Sequence, residues 1–400
     1  MTRPGRARAV VAALLLTGVV GAVPVVPAQA RAAAADPPAL PQVTEGCVGE
    51  SPAVVDSPPW ALRRMLPSAV WPLTRGGGVV VAVVDTGVSA TATALRGAVR
   101  AGADVVGSGA ADRDCYGRGT ALAGIVAARP VTGSGFVGMA PEATILPIRI
   151  VDAKGKVAPG AIAAGIRAAT AAKADVILLG VGTTSPDAEL RAAIREAVGR
   201  DIVLVAAVSD ETRPTGSTQP AAPWFPAAHP DVVAVGGIDA KGVPTEKSPP
   251  EAGVDLLAPA AGAVSVAPRG NGHYSVAGPA VAAAYAAGAA ALIRAHYPKL
   301  SQADVRRRLE LSAEHPLGTW PAPGVGYGTL DLYNALTALE LDRTPLPSQP
   351  QVLRPLPAAA PAEPTKLIAG SVAAGMVGLA GLAYLSAITV KWGRRRRWRA

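Results

Sequence analysis

The chain has 400 residues, half of them hydrophobic, enough for one large domain or two small ones with ample apolar surface for a core. Aromatic residues make up only 4%, so Ala, Val, Leu and Ile must build that core. The formal net charge of +9 is made at the ends: Arg3, Arg6 and Arg8 give +3 in residues 1–30, and Lys391, Arg394, Arg395, Arg396, Arg397 and Arg399 give +6 in residues 391–400, so residues 31–390 are net zero, which argues against a nucleic-acid-binding protein.

The chain opens on a basic start, an apolar run and small residues around Pro27-Ala28-Gln29-Ala30. This is the layout of a secretory signal peptide over residues 1–30, cleaved after Ala30; the alternative is an uncleaved anchor helix. Residues 31–59 are rich in Ala and Pro and read as an extended arm, with the globular part beginning near Trp60. Apolar, strand-like runs then alternate with alanine-rich helical stretches. Strands are predicted over residues 78–84, 144–151, 176–180, 202–208 and 232–236, and helices over residues 119–128, 161–172, 187–198 and 278–297. Continuous apolar strands separated by helices predict a parallel α/β sheet covered on both faces. Functional sites of such sheets lie at the carboxyl ends of strands, and Asp85 stands at one, directly after VAVV.

Residues 341–365 contain seven prolines and predict a semi-rigid, extended linker. Leu367–Val390 is 24 residues without a charge, long enough to span a bilayer with some tilt, so a membrane helix is predicted over 366–390. The basic tail 391–400 follows directly, which places the C-terminus in the cytoplasm and the domain outside. Cys47 and Cys115 are the chain's two cysteines, and both fall in the exported part. A Cys47–Cys115 disulfide is the preferred reading, because the alternative is two free thiols in an oxidising space.

Three segments carry a resemblance. GVVVAVVDTGV resembles the aspartate motif of subtilisin-like serine proteases. CYGRGTALAGIVAAR resembles their histidine motif, GHGT-x-x-AG, and YSVAGPAVAAAYAAGAAALIRAHYP resembles their serine motif followed by a long helix. The three occur in the family's order and the likeness covers residues 60–335. A narrower resemblance is to the mycosins, membrane-anchored subtilases of type VII secretion systems, which share the signal peptide, arm, Pro-rich linker and C-terminal membrane helix. The resemblance implies a subtilisin-like three-layer α/β domain over 60–340 with a central parallel sheet, and the type VII secretion membrane complex as partner.

Carried over residue by residue, the resemblance gives Asp85 the place of the triad acid, which orients and stabilises a histidine. Arg118 stands where that histidine belongs, and an arginine has no lone pair with which to take a proton. Counting back from Gly288 along the last motif puts Ala280 at the nucleophile's position, and a methyl group cannot attack a carbonyl. Asp210, after VLVAAVS, falls where the oxyanion-binding asparagine belongs, and a carboxylate offers no donor there. His229, His273, His296 and His315 all lack the G-x-GT setting. A rescue pair of Ser275 with His273 is conceivable, but surface or turn roles are expected for both. No cofactor and no metal-ligand cluster is expected. Arg118 is expected to form an ion pair with Asp85, since a buried Asp85 without its histidine would be a costly unpaired charge. The expectation is a catalytically inactive pseudoprotease that acts as a scaffold or captures extended peptide segments. The alternative is an active serine endopeptidase.

Overall fold

The computed structural model describes residues 36–43, 45–152, 154–209, 223–245, 253–339 and 365–395. The expected signal peptide and most of the Pro-rich linker lie outside these residues. The chain divides into a globular unit, up to Leu341, and a C-terminal unit.

The globular unit is organised by a seven-stranded sheet. Its strands are β1 (Val80–Asp85), β2 (Ala103–Asp104), β3 (Thr144–Arg149), β4 (Val176–Leu179), β5 (Val203–Ala207), β6 (Val233–Ile238) and β7 (Leu256–Pro259), in the order β2-β3-β1-β4-β5-β6-β7. Every pairing among them is parallel, as the runs of Val, Ile and Leu require of strands covered on both faces. β1 is an interior strand, third from the β2 edge, with Val81 opposite Ile145 on one side and Val176 on the other. Its residues alternate between two cores. Val81 and Val83 join the core on the side of α2 (Arg118–Ala127) and α5 (Pro279–His296), whereas Ala82 and Val84 join the core under α3 (Ala161–Ala171) and α4 (Ala188–Gly199).

Small side chains set the spacing of these layers. On α3, a Cβ at Gly165 would come within 2.7 Å of Ile150 and 2.9 Å of Val84, so only glycine lets this helix lie so close to the sheet. α5 is buried from Pro279 to Arg294, and its alanines pack against α2 and the sheet. Near its middle Tyr285 is fully buried, and its hydroxyl has no hydrogen-bond partner among the described residues. α4 begins where turn chemistry predicts: the Asp187 side chain accepts from the Leu190 amide at 2.7 Å and caps the helix.

Several elements go beyond the sequence reading. These are α1 (Trp60–Met65), the short strands β2 and β7, the antiparallel pair β8 (Ala263–Val266) and β9 (His273–Val276), α6 (Gln302–Leu311) and α7 (Leu332–Thr337). β8 lies over α2 where Gly124 leaves room, since a Cβ there would meet Ser265 and Val266 at 2.6 Å. In the C-terminal unit, α8 (Thr365–Arg395) is a single helix of 31 residues. It runs past the expected end at residue 390 into the basic residues, because Lys and Arg are good helix formers and their charge suits a helix C-terminus. Residues 373–394 of α8 are long and apolar enough to cross a membrane, with mean hydropathy 1.7.

Candidate active site

β1 delivers Asp85 to the carboxyl edge of the sheet, where its carboxylate is wholly buried. Oδ1 accepts the Thr86 amide at 2.8 Å and Arg118 Nε at 3.0 Å. The expected Asp85–Arg118 ion pair is therefore formed, between an acid with no exposure and a guanidinium with 24%. Oδ2 faces Gly180, just past the end of β4, and has no hydrogen-bond partner among the described residues. A Cβ at Gly180 would stand 2.3 Å from that oxygen, so the close approach requires glycine.

The turn that presents Arg118 explains both glycines of the GRG triplet. Gly117 has φ +78°, the left-handed region, and a Cβ on Gly119 would lie 2.1 Å from the Gly87 carbonyl oxygen. Arg118 is the first residue of α2, where a cation meets the positive end of the helix dipole; the Asp85 carboxylate offsets that cost.

The rest of the α2 N-terminus is held by Asp114, which sequence reasoning missed. Its Oδ1 accepts from the Tyr116 and Gly117 amides at 3.0 and 2.9 Å, and its Oδ2 from the Thr120 amide and hydroxyl at 2.8 and 2.7 Å. Burial pushes the Asp114 carboxyl up, against the pull of these donors. Thr86 Oγ1 accepts the Gly119 amide at 2.9 Å, tying the helix start to the residue after Asp85. Arg149, at the end of β3, donates to Asp104 at 2.7 Å, to the Thr86 carbonyl at 3.1 Å and to the Arg113 carbonyl, and so braces the loops on both sides. An Asp shortly before a helix start was the available sequence signal for Asp114.

Ala280 is the second residue of α5 and 2% exposed. Gly278, just before it, donates to the Ala260 carbonyl directly after β7, which sets the start of α5 at the same carboxyl edge as Asp85. The site thus holds a carboxylate, a guanidinium and a methyl group, none of them a nucleophile paired with a base. Asp210 lies outside the described residues.

His273 corrects the expectation of a surface or turn residue. It is 2% exposed on β9, and its Nδ1 accepts the Val55 amide at 3.3 Å. Its Nε2 lies 3.3 Å from the Ser134 hydroxyl, and its ring sits against Phe136. Desolvation pulls its pKa down to about 4. It forms no pair with Ser275, whose backbone bonds the N-terminal arm instead. His229 lies 3.7 Å from Asp231, His315 stacks on Trp320, and His296 packs on Tyr297. Among the described residues, the hydrogen-bond partners of the Asp85 carboxylate are Thr86 and Arg118. Also among the described residues, no group of three or more His, Cys, Asp or Glu is placed to hold a metal ion. The Cys47–Cys115 disulfide is formed and joins the arm to the loop before α2, reinforced by the Val48 amide donating to the Cys115 carbonyl at 2.9 Å.

The model of the subtilase family matches residues 76–339. The chain belongs to the subtilase family. Within it, mycosin-3 of Mycobacterium tuberculosis is 32% identical, with 94% of this chain and 93% of that protein covered. Mycosin-4 of the same organism is 34% identical over 69% of this chain and 68% of its own length. Subtilisin DY of Bacillus licheniformis is 35% identical over 60% of this chain and 85% of its own length. In three dimensions the chain is similar to MycP1 from the ESX-1 type VII secretion system, at 27% identity and a TM-score of 0.66, covering 78% of this chain and 95% of that one. A chain in the structure of an intact ESX-5 inner membrane complex matches 88% of this chain and 96% of its own length, with 27% identity and the same TM-score.

Proposed function

We propose that this chain is a membrane-anchored, mycosin-like subtilase-fold protein of a type VII secretion system whose active site has become a structural ion pair. It acts as a scaffold or peptide-binding component of the secretion membrane complex, without cleaving. The observation that carries this reading is the 3.0 Å contact between Arg118 and Asp85. In a working triad that carboxylate holds a histidine, which takes the nucleophile's proton. Arg118 fills the place and cannot accept a proton. At the start of α5, Ala280 has no hydroxyl to activate, and Asp210 would repel a developing oxyanion. Likeness to a chain of an ESX-5 inner membrane complex supports membrane-complex components as partners.

The proposed layout is a signal peptide over 1–30, an arm over 31–59, a subtilase-like domain over 60–340, a linker over 341–365, a membrane helix over 366–390 and a basic tail over 391–400. The charge run after the apolar stretch supports a cytoplasmic C-terminus and an extracytoplasmic domain. The decisive experiment is labelling of the purified full-length protein with a fluorophosphonate probe. No saturable covalent labelling is expected; labelling at a serine would establish an active serine endopeptidase and overturn the proposal.

A further inference from the structure

The N-terminal arm does not simply wrap the domain; it inserts beside the site. Ser275 on β9 donates its amide to the Pro38 carbonyl at 2.8 Å, and the Leu40 amide donates back to the Ser275 carbonyl at 2.9 Å. Ala39 is thereby the parallel bridge partner of Ser275. Two main-chain bonds around one residue are the signature of strand addition, in which an extended segment joins a sheet edge and one side chain fills a pocket. Leu40 is that side chain. It packs against the cluster of Val48, Ala267 and Tyr274 and against the core around α2. A Cβ on Gly117 would meet Leu40 Cδ1 at 3.0 Å and Pro268 at 3.6 Å, so the slot ends at the residue preceding Arg118.

The hold of this segment on the slot is weak by design of its sequence. Pro37, Pro38 and Pro41 have no amide to donate, so the Asp36–Val43 stretch bonds β9 only through Pro38 and Leu40. Pro38 and Ala39 are exposed. What keeps Leu40 in place is proximity: the Cys47–Cys115 bond anchors the arm seven residues further on. A short tether of this kind supplies an effective concentration of about a millimolar, enough to occupy a slot of modest affinity. Prolines also hold the segment extended before it docks, which lowers the entropy cost of binding.

We propose that the edge of β9 and the Leu40 slot form a docking site for an extended, proline-containing peptide segment with one leucine-like side chain, and that residues 36–43 are its built-in occupant. A second polypeptide carrying such a segment displaces the arm and binds next to Arg118. This deepens the peptide-binding reading of the proposed function, and it holds whether or not the site cleaves.

The test uses full-length protein in detergent and a fluorescein-labelled peptide of the arm sequence, DPPALPQV, followed by fluorescence anisotropy. Leu40→Asp empties the slot without touching its walls. The variant is expected to bind the peptide at least about tenfold more tightly than the wild-type protein, where the tethered arm competes. The same peptide with aspartate in place of leucine is expected not to bind either protein, a control that needs no folded variant. Equal affinity for the two proteins, equal binding of the two peptides, or no saturable binding to the variant up to about 1 mM, near the effective concentration of such a tether, overturns the proposal. Should Leu40→Asp lower the melting temperature, Leu40→Ser is judged by the same three criteria. Fluorophosphonate labelling with intact peptide binding overturns the inert site alone; no labelling and no peptide binding overturns the docking site alone.

Discussion

His273 makes the stability of the domain fall as the pH falls, and the effect can be sized. Its imidazole is buried at the junction of β9, the arm and the loop carrying Ser134, and burial lowers its pKa from 6.5 to about 4. A histidine with a depressed folded pKa stays neutral in the native state while its unfolded counterpart takes up a proton. The stability it contributes is therefore complete above pH 6.5 and is lost as the pH falls toward 4. At 1.36 kcal/mol per pKa unit the full loss is about 3 kcal/mol, of which about 2 kcal/mol is gone by pH 5. Other groups titrate in the same range. His229 acts in the same direction, whereas Asp114, Asp255 and Glu310, raised by burial, act in the opposite one. Comparison with His273→Gln isolates the one residue, because the amide oxygen still accepts from Val55 but does not titrate. Guanidinium unfolding of both full-length proteins in detergent, followed by tryptophan fluorescence between pH 8 and pH 5, reads the difference. Expected is a gap in stability that narrows by about 2 kcal/mol toward pH 5. Two parallel curves would refute the reasoning.

Three further outcomes follow from the structure. Arg118→Ala leaves the buried Asp85 carboxylate unpaired and is expected to cost about 3 kcal/mol, while Asp85→Asn in the same background restores most of it; a double-mutant cycle in guanidinium checks both. Tyr285→Phe removes a buried hydroxyl that has no partner among the described residues, and is expected to stabilise the domain by about 1 kcal/mol, visible as a raised melting temperature. Replacing both Cys47 and Cys115 by serine opens a loop spanning 68 residues and is expected to destabilise by about 2–4 kcal/mol; wild-type protein under a strong reductant should lose the same amount.

The sheet was legible because strands buried on both faces are written as unbroken apolar runs, and β1, β3, β4, β5 and β6 all lie within the predicted segments or one or two residues of them. The Asp85–Arg118 pair was legible from the motif resemblance and chemistry together: the resemblance put Arg118 at the place of the aspartate's histidine partner, and a buried carboxylate needs a partner. The β8–β9 hairpin was not legible, since AVSV and HYSV are strands of four residues, too short for a period to show, and they are made stable by lying on α2 over Gly124. The place of His273 was hidden for a similar reason. Its partners Val55 and Ser134 are 218 and 139 residues away, and no local pattern signals a contact of that span. Asp114 escaped because it caps α2 from outside the helix, four residues before Arg118, rather than from the usual capping position.

The turn around Arg118 separates two things that a sequence motif runs together. Gly117 is fixed by its backbone angle and Gly119 by the carbonyl it must clear, and neither constraint depends on the side chain between them. Position 118 is therefore a mount whose fitting can be exchanged while the frame stays rigid. A change of residue at this position removes neither reason for the glycines, so the outline of the motif carries no information about which side chain it presents.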